Sequence, residues 1–235
     1  MTTAPVLLLP GMMLDADVYA AQRAALRRRG PVLEGDLTGA GSIGELAARL
    51  LERAPERFAV VGLSLGGIVA LELWRRARAR ITHLALLDTT PHAETAERAQ
   101  RRSGEIAMAE GGGLRELLTE SFKPRYLAPK HRRNRTLLRR ILDMGLRAGP
   151  TVFRDQSIAL RDRPDSNATL SSIDCPSLVL CGREDVLCPP EWHARMALAM
   201  PRADLVVLAD CGHLAPMEAP RAVTHALLRL LRRDS

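Results

Sequence analysis

The chain has 235 residues, enough for one large domain or for a core domain carrying an insertion. Hydrophobic residues make up 46%, ample for a packed core, and no apolar run approaches the roughly 18 residues that a membrane-spanning helix needs. The formal charge is +7, but Lys123 and Lys130 are the only lysines and aromatic residues are only 3%. We read this arginine excess as coding bias in a GC-rich genome, because nucleic-acid binding usually brings a recognisable module or interleaved aromatics, and neither is present. No nucleic-acid or membrane partner is expected. The N-terminus runs straight into Val6-Leu7-Leu8-Leu9 without the basic region, long apolar stretch and cleavage site of a secretory signal, so a cytoplasmic location is expected. Cys175, Cys181, Cys188 and Cys211 form no C-x-x-C pair and stand at no finger-like spacing to a histidine, so free thiols and no metal are expected.

Apolar strands alternate with amphipathic helices along the chain. The pattern predicts a strand over Val6–Leu9, a helix over 16–28, a short strand at 32–33 and a helix over Ile43–Arg53. A strand over 59–61, a helix over 65–78 and a strand over Ile81–Leu87 follow. The rhythm then breaks. From Pro91 to about Asp165 the sequence predicts only helices, over 92–110, 114–121, 130–146 and 151–160, punctuated by Gly111-Gly112-Gly113 and Gly149-Pro150. Alternation resumes with a strand over 177–181, a helix over 190–200, a strand over 204–208 and a helix over 221–232. Strands and helices in this order imply a parallel sheet covered on both faces, with residues 91–165 inserted between its two halves.

Gly62-Leu63-Ser64-Leu65-Gly66 lies where the 59–61 strand meets the 65–78 helix. A serine at so sharp a turn is forced into a strained backbone, and the flanking glycines leave room for it; its hydroxyl then stands clear at the positive end of the helix. Such a serine needs a base, usually a histidine oriented by a carboxylate. Of the six histidines, His83 lies within a strand, His92 and His131 belong to the insertion, and His193 and His225 lie on ordinary helices. His213 stands alone in Asp210-Cys211-Gly212-His213-Leu214, directly after the last predicted strand and on the edge where Ser64 sits. Asp185, after the 177–181 strand, is the first candidate acid, separated from His213 by room for one helix and one strand. Asp88, ending the strand Ile81–Leu87, is the second; its alternative role is a cap or turn residue at the start of the insertion. Asp210 is read as supporting the histidine loop, and Glu184 as pointing away if Asp185 points in. Oxyanion donors are expected from the backbone N–H of Leu65 and, across the Pro10-Gly11-Met12 loop, from that of Met12.

The order strand, Ser64, insertion, Asp185, His213 resembles the α/β-hydrolase superfamily, whose nucleophile, acid and histidine follow in that chain order. Leu7-Leu8-Leu9-Pro10-Gly11-Met12, Val61-Gly62-Leu63-Ser64-Leu65-Gly66-Gly67, Cys181-Gly182-Arg183-Glu184-Asp185 and Cys211-Gly212-His213 carry the likeness, which covers essentially the whole chain. It is most similar to small bacterial carboxylesterase and lactonase-like members with a helical lid. The resemblance implies a three-layer α/β fold with a core of residues 1–90 and 166–235 and a helical cap of 91–165. Two departures stand out. Pro10-Gly11 replaces the usual His-Gly before the oxyanion residue, and the chain begins at what is normally the third strand, which implies a minimal all-parallel sheet of about six strands.

The expected activity is hydrolysis of small-molecule carboxylic esters through an acyl-Ser64 intermediate, with no cofactor. C–C bond hydrolysis, lyase or perhydrolase chemistry on the same residues is the alternative, and a non-catalytic ligand-binding protein the third. Met13, Phe122, Tyr126, Phe153 and Leu187 are candidates to line the substrate pocket, with Met12. Arg125, Arg132, Arg133, Arg135, Arg139, Arg140 and Arg147 lie in the insertion, and one of them is a candidate to recognise an acidic substrate group.

Overall fold

The computed structural model describes residues 4–122 and 126–234, with Ser121 and Phe122 as backbone only; Arg125 and the Phe122 side chain lie outside the described residues. Its strands are β1 (Val6–Leu9), β2 (Val32–Glu34), β3 (Phe58–Leu63), β4 (Ile81–Leu87), β5 (Ser177–Gly182) and β6 (Ala203–Leu208). They form one six-stranded sheet in the order β2-β1-β3-β4-β5-β6, every neighbouring pair parallel. The longer helices are α1 (Ala20–Arg27), α2 (Ile43–Arg53), α3 (Leu65–Ala77), α4 (Ala96–Met108), α5 (Arg135–Arg161), α6 (Pro190–Ala199) and α7 (Pro220–Leu230). No described helix is long and apolar enough to cross a membrane.

Side chains along a strand alternate between the two faces of a sheet. Leu7 and Leu9 of β1, Phe58 and Val60 of β3, and Leu84 and Leu86 of β4 enter one hydrophobic core, with α2 and α3. Val6 and Leu8, Ala59 and Val61, and Ala85 and Leu87 enter a second, with Leu26 of α1 and Val223 and Leu227 of α7. Both faces being buried, the inner strands read as unbroken apolar runs, and each fully buried leucine or valine contributes about 1.5–3 kcal/mol.

Helix ends follow local side-chain chemistry more than hydrophobic period. A 3₁₀ turn, Ala16–Tyr19, capped by Asp15, precedes α1. Helix α4 opens at Ala96, where the Thr95 hydroxyl accepts the Arg98 N–H, and α5 opens at Arg135, where Asn134 accepts the Leu137 N–H. Both starts fall later than the apolar pattern predicts. The break at Gly149-Pro150 survives as a kink: Gly149 has φ 80° and ψ 174°, and helical conformation resumes beyond it. Two short helices, Asn167–Leu170 and Ala215–Glu218, span too few residues to show a period in sequence.

The chain enters the sheet at β1, crosses to the edge at β2, and returns past β1 to β3. Helix α1, after β1, covers one face and α3, after β3, covers the other, so the loops leaving these adjacent strands part in opposite directions. That reversal opens a crevice at the carboxyl ends of the strands, the usual binding position in open α/β sheets.

Close backbone packing makes Gly66 at this crevice far less tolerant of a side chain than an exposed helical glycine. A Cβ on Gly66 would lie 2.3 Å from the Leu9 carbonyl oxygen, whereas one on exposed Gly104 in α4 meets nothing within 4 Å. Gly66→Ala is expected to destabilise by about 1–3 kcal/mol or more, and Gly104→Ala to stabilise by up to about 1 kcal/mol, as read by urea unfolding.

Candidate active site

Ser64 joins β3 to α3 with φ 53° and ψ −114°, a region that disfavours L-residues. The turn is held from several sides. The Ser64 N–H donates to the Leu87 carbonyl (2.9 Å), and the Thr89 hydroxyl donates to the Ser64 carbonyl (2.7 Å). A Cβ on Gly62 would fall 2.3 Å from the Gly66 carbonyl oxygen, so the turn closes only without a side chain there. A Cβ on Gly11 would sit 3.4 Å from that of Ser64, which shows how closely the loop after β1 approaches the serine.

His213 reaches the same place from the loop after β6. Its Nε2 lies 2.9 Å from Ser64 Oγ, and its Nδ1 lies 2.8 Å from Asp185 Oδ2. The other Asp185 oxygen accepts the N–H groups of Leu187 (2.8 Å) and Cys188 (3.0 Å). Burial pushes the Asp185 carboxyl up, but His213 and these two amides outweigh it and hold the group below the ordinary carboxylate range. An ionised Asp185 accepts the Nδ1 proton, which leaves Nε2 free to accept the Ser64 hydroxyl.

The histidine loop is positioned by a second carboxylate, Glu218, which no motif marks. Glu218, its side chain fully buried, accepts the N–H groups of Gly212 (3.0 Å) and Leu214 (3.2 Å) through one oxygen. Through the other it accepts the N–H of Ala128 (2.8 Å) and meets His131 Nδ1 (3.0 Å). The His213 N–H donates to the Tyr126 carbonyl (2.8 Å), and the Tyr126 ring stacks on the imidazole at 5.9 Å. Glu184 accepts the Cys211 N–H (2.7 Å). Exposed Asp210 pairs with Lys130 (3.4 Å). A buried acid five residues after a histidine, on a helix too short to recognise, gives little sequence signal.

Asp88 is buried and faces away from the imidazole. Its two oxygens accept the Gly182 N–H (3.0 Å) and the Ala215 N–H (3.1 Å), tying β4 to β5 and to the Ala215–Glu218 helix. Burial, then the Asp185 charge, pushes its carboxyl well above the ordinary range. His193 is also fully buried. Its Nε2 accepts the Thr89 N–H (3.0 Å) and its Nδ1 donates to the Pro189 carbonyl (3.2 Å), so it steadies the residue that clamps Ser64.

Ser64 and His213 open into a cavity of about 120 Å³ lined also by Gly11, Met12, Tyr126 and Leu187. Met13 and Phe153, expected at this surface, pack in the hydrophobic core instead; the Met13 N–H is taken by Gln156 (2.8 Å). Among the described residues the arginines of the lining are Arg98, Arg101, Arg102 and Arg163, not those singled out in sequence. Arg140 and Arg147 turn instead to the Asp15–Asp17 segment. Three of the pocket arginines were legible in principle: Arg98, Arg101 and Arg102 share one face of α4 with Glu105, at i, i+3, i+4 and i+7. Asp185, Cys188 and His213 offer donor atoms within 4.8 Å of one another. Those of Asp185 and His213 are already spent on each other, and burial pushes the Cys188 thiol up, away from the thiolate a metal prefers.

A parallel sheet with a strand–serine–helix turn at its switch point and a histidine loop after the last strand defines a hydrolase scaffold. The sequence matches the alpha/beta hydrolase family over residues 6–226, and the chain belongs to that family. It is 25% identical to the pimeloyl-[acyl-carrier protein] methyl ester esterase of Nitrosomonas europaea, across 92% of this chain and 90% of that protein. A thermophilic esterase from Thermogutta terrifontis, solved with malate bound, is 31% identical and superposes with a TM-score of 0.90, covering 98% of this chain and 90% of that one. The enol-lactonase of Burkholderia xenovorans shares the fold at a TM-score of 0.87 and 23% identity, covering 99% and 93%.

Burial lowers the basicity of His83 and His193 from an ordinary value of 6.5. The unfolded chain therefore takes up protons near pH 6.5 that the native state refuses, and the histidine contribution to stability falls as pH drops below that value. Asp88, pushed up, works in the opposite direction, so the histidine contribution is read as a difference: between about pH 7.5 and about pH 5.5, wild type is expected to lose more urea midpoint than His193→Gln.

Proposed function

We propose that this protein is a serine hydrolase of small carboxylic esters, with Ser64 as nucleophile, His213 as base and Asp185 as orienting acid. The observation that carries the reading is the unbroken chain from Ser64 Oγ through His213 to Asp185, with contacts of 2.9 and 2.8 Å, and with Ser64 and His213 lining a cavity. The esterase activity named for its relatives in Nitrosomonas europaea and Thermogutta terrifontis supports the same class.

Ser64 Oγ attacks the ester carbonyl carbon as its proton passes to His213 Nε2, and Asp185 stabilises the imidazolium that forms. Leu65 is the first residue of α3, so its N–H has no acceptor within the helix and suits the developing oxyanion. Met12, beside Ser64 in the loop after β1, supplies the second main-chain donor. The alkoxide leaves with the proton from His213. Water, deprotonated by His213, then adds to the acyl carbon, and the acid departs as Ser64 recovers its proton. Residues 91–165 act as the cap that closes the cavity over the acyl group, and Tyr126 and Leu187 shape its walls.

Ser64→Ala is expected to lower ester turnover by about 10⁴-fold or more and to abolish covalent labelling by a fluorophosphonate probe. Retained labelling would sink the assignment. Asp185→Asn is expected to cost about 10²- to 10⁴-fold in kcat. Asp88→Asn acts first on stability, by about 1–3 kcal/mol, because its amide would face a buried N–H; a larger kcat loss in Asp88→Asn than in Asp185→Asn would reverse the two roles.

A further inference from the structure

Part of the lining of the Ser64 cavity is charged where a wall for a neutral ester would be apolar. Helix α4 contains no buried residue, and it turns Arg98, Arg101, Arg102 and Glu105 toward the cavity, joined by Arg163 from beyond α5. Behind them lies Glu94, its side chain 1% exposed. It accepts from Arg102 Nε (2.8 Å) and Nη2 (2.7 Å) and from Arg163 Nη1 (3.0 Å) and Nη2 (3.2 Å). Arg98 Nη1 stands 4.0 Å from it, beyond hydrogen-bonding reach. Arg101 pairs with Glu105 at 3.5 Å.

Four guanidiniums thus share two carboxylates. Arg101 is exposed and solvated, whereas Arg98 and Arg102 are partly withdrawn from water, where positive charge is costly unless it is paired, so this part of the wall favours an anion. The four arginines differ in what they have left to offer. Arg163, 4% exposed, is spent on Glu94 and on the carbonyls of His92 (2.8 Å) and Leu160 (3.0 Å), and holds the wall together. Arg102 uses Nε and Nη2 on Glu94, but its Nη1 meets the Met12 sulfur at 3.9 Å, a weak acceptor that a carboxylate would outcompete. Burial pushes the Glu94 carboxyl up, yet Arg163 and Arg102 outweigh it and hold it below its ordinary value, so it stays an anion that fixes the guanidiniums.

We propose that the substrate is the monoester of a short dicarboxylic acid, or a lactone bearing a free carboxylate, whose carboxylate is held by Arg102 Nη1 with Arg98. Placing the anion on the acyl side is part of the proposal; the Met12 side chain that Arg102 Nη1 meets belongs to the loop assigned to the oxyanion. Ser64, His213 and the arginines line one cavity of about 120 Å³, so the ester carbonyl and the carboxylate are joined by a short acyl chain. The kinetic part of this proposal rests on the ester-hydrolase reading; the binding part does not.

The test compares methyl hydrogen succinate with methyl butyrate, esters of equal chain length with and without the carboxylate. Wild type is expected to favour the succinate ester in kcat/KM by about tenfold or more, the size of one charge-assisted hydrogen bond, and Arg102→Gln and Arg98→Gln each to reduce that ratio. Arg98→Gln serves if Arg102→Gln does not fold, because Arg98 makes the looser contact with Glu94. Hydrolysis of both esters at equal efficiency overturns the acidic-substrate proposal and leaves the esterase reading standing. If neither ester is turned over, the esterase reading is the one in difficulty, and calorimetry with succinate and butyrate decides the binding claim alone. Succinate binding at least about tenfold tighter than butyrate, weakened by either arginine substitution, supports it. No succinate binding, or binding that neither substitution weakens, overturns it.

Discussion

The left-handed backbone of Ser64 is the constraint from which the rest of the site follows. A conformation of this kind costs about 1–3 kcal/mol and persists only because its surroundings leave no alternative. Gly62 and Gly66 pack against backbone atoms that a methyl group would strike, and Gly67 packs as closely on the Thr89 side chain. Main-chain bonds to Leu87 and from the Thr89 hydroxyl fix the turn between β3 and β4. The serine is therefore held by the two innermost strands of the sheet, and its hydroxyl is ordered in advance.

Among the described residues, the non-glycine residues with positive φ are Met13, Ser64, Asp88 and Asp210. Each follows the carboxyl end of a strand: β1, β3, β4 and β6 in turn. Loops that turn this sharply cannot satisfy their amides with strand partners, and buried amides need acceptors. Carboxylates supply them here. Asp88 serves Gly182 and Ala215, Glu184 serves Cys211, Glu218 serves Gly212, Leu214 and Ala128, and Asp185 serves Leu187 and Cys188. Asp185 alone of these four also faces the imidazole. Its difference from Asp88 is one of direction, since both are buried at the ends of adjacent strands.

The helical segment between β4 and β5 follows a different logic. Its interior against the core is ordinary hydrophobic packing through Leu117, Leu118, Ile141 and Phe153. The part of it that lines the cavity with Ser64 is a cationic lattice anchored on one buried glutamate. A single anion can organise several guanidiniums because each offers donors in a planar fork. The same arrangement leaves the wall with more positive charge than it neutralises.

Sequence alone determined the parallel sheet, its two covered faces, the helical insertion and the candidate positions of Ser64, His213 and Asp185. These were legible because strand period, turn glycines and the position of a residue just after a strand are local properties. The kink at Gly149 belongs to the same class. Tertiary structure decided which of two strand-end aspartates meets the imidazole, that Glu218 and His193 brace the site, and that Met13 and Phe153 belong to the core. It also decided which arginines face the cavity, replacing the insertion's later arginines with Arg98, Arg101, Arg102 and Arg163. Each of those outcomes depends on the direction of a side chain relative to partners distant in sequence, such as Glu94 to Arg163 or Thr89 to His193. Composition and period specify which residues lie on an element; only packing specifies what they face.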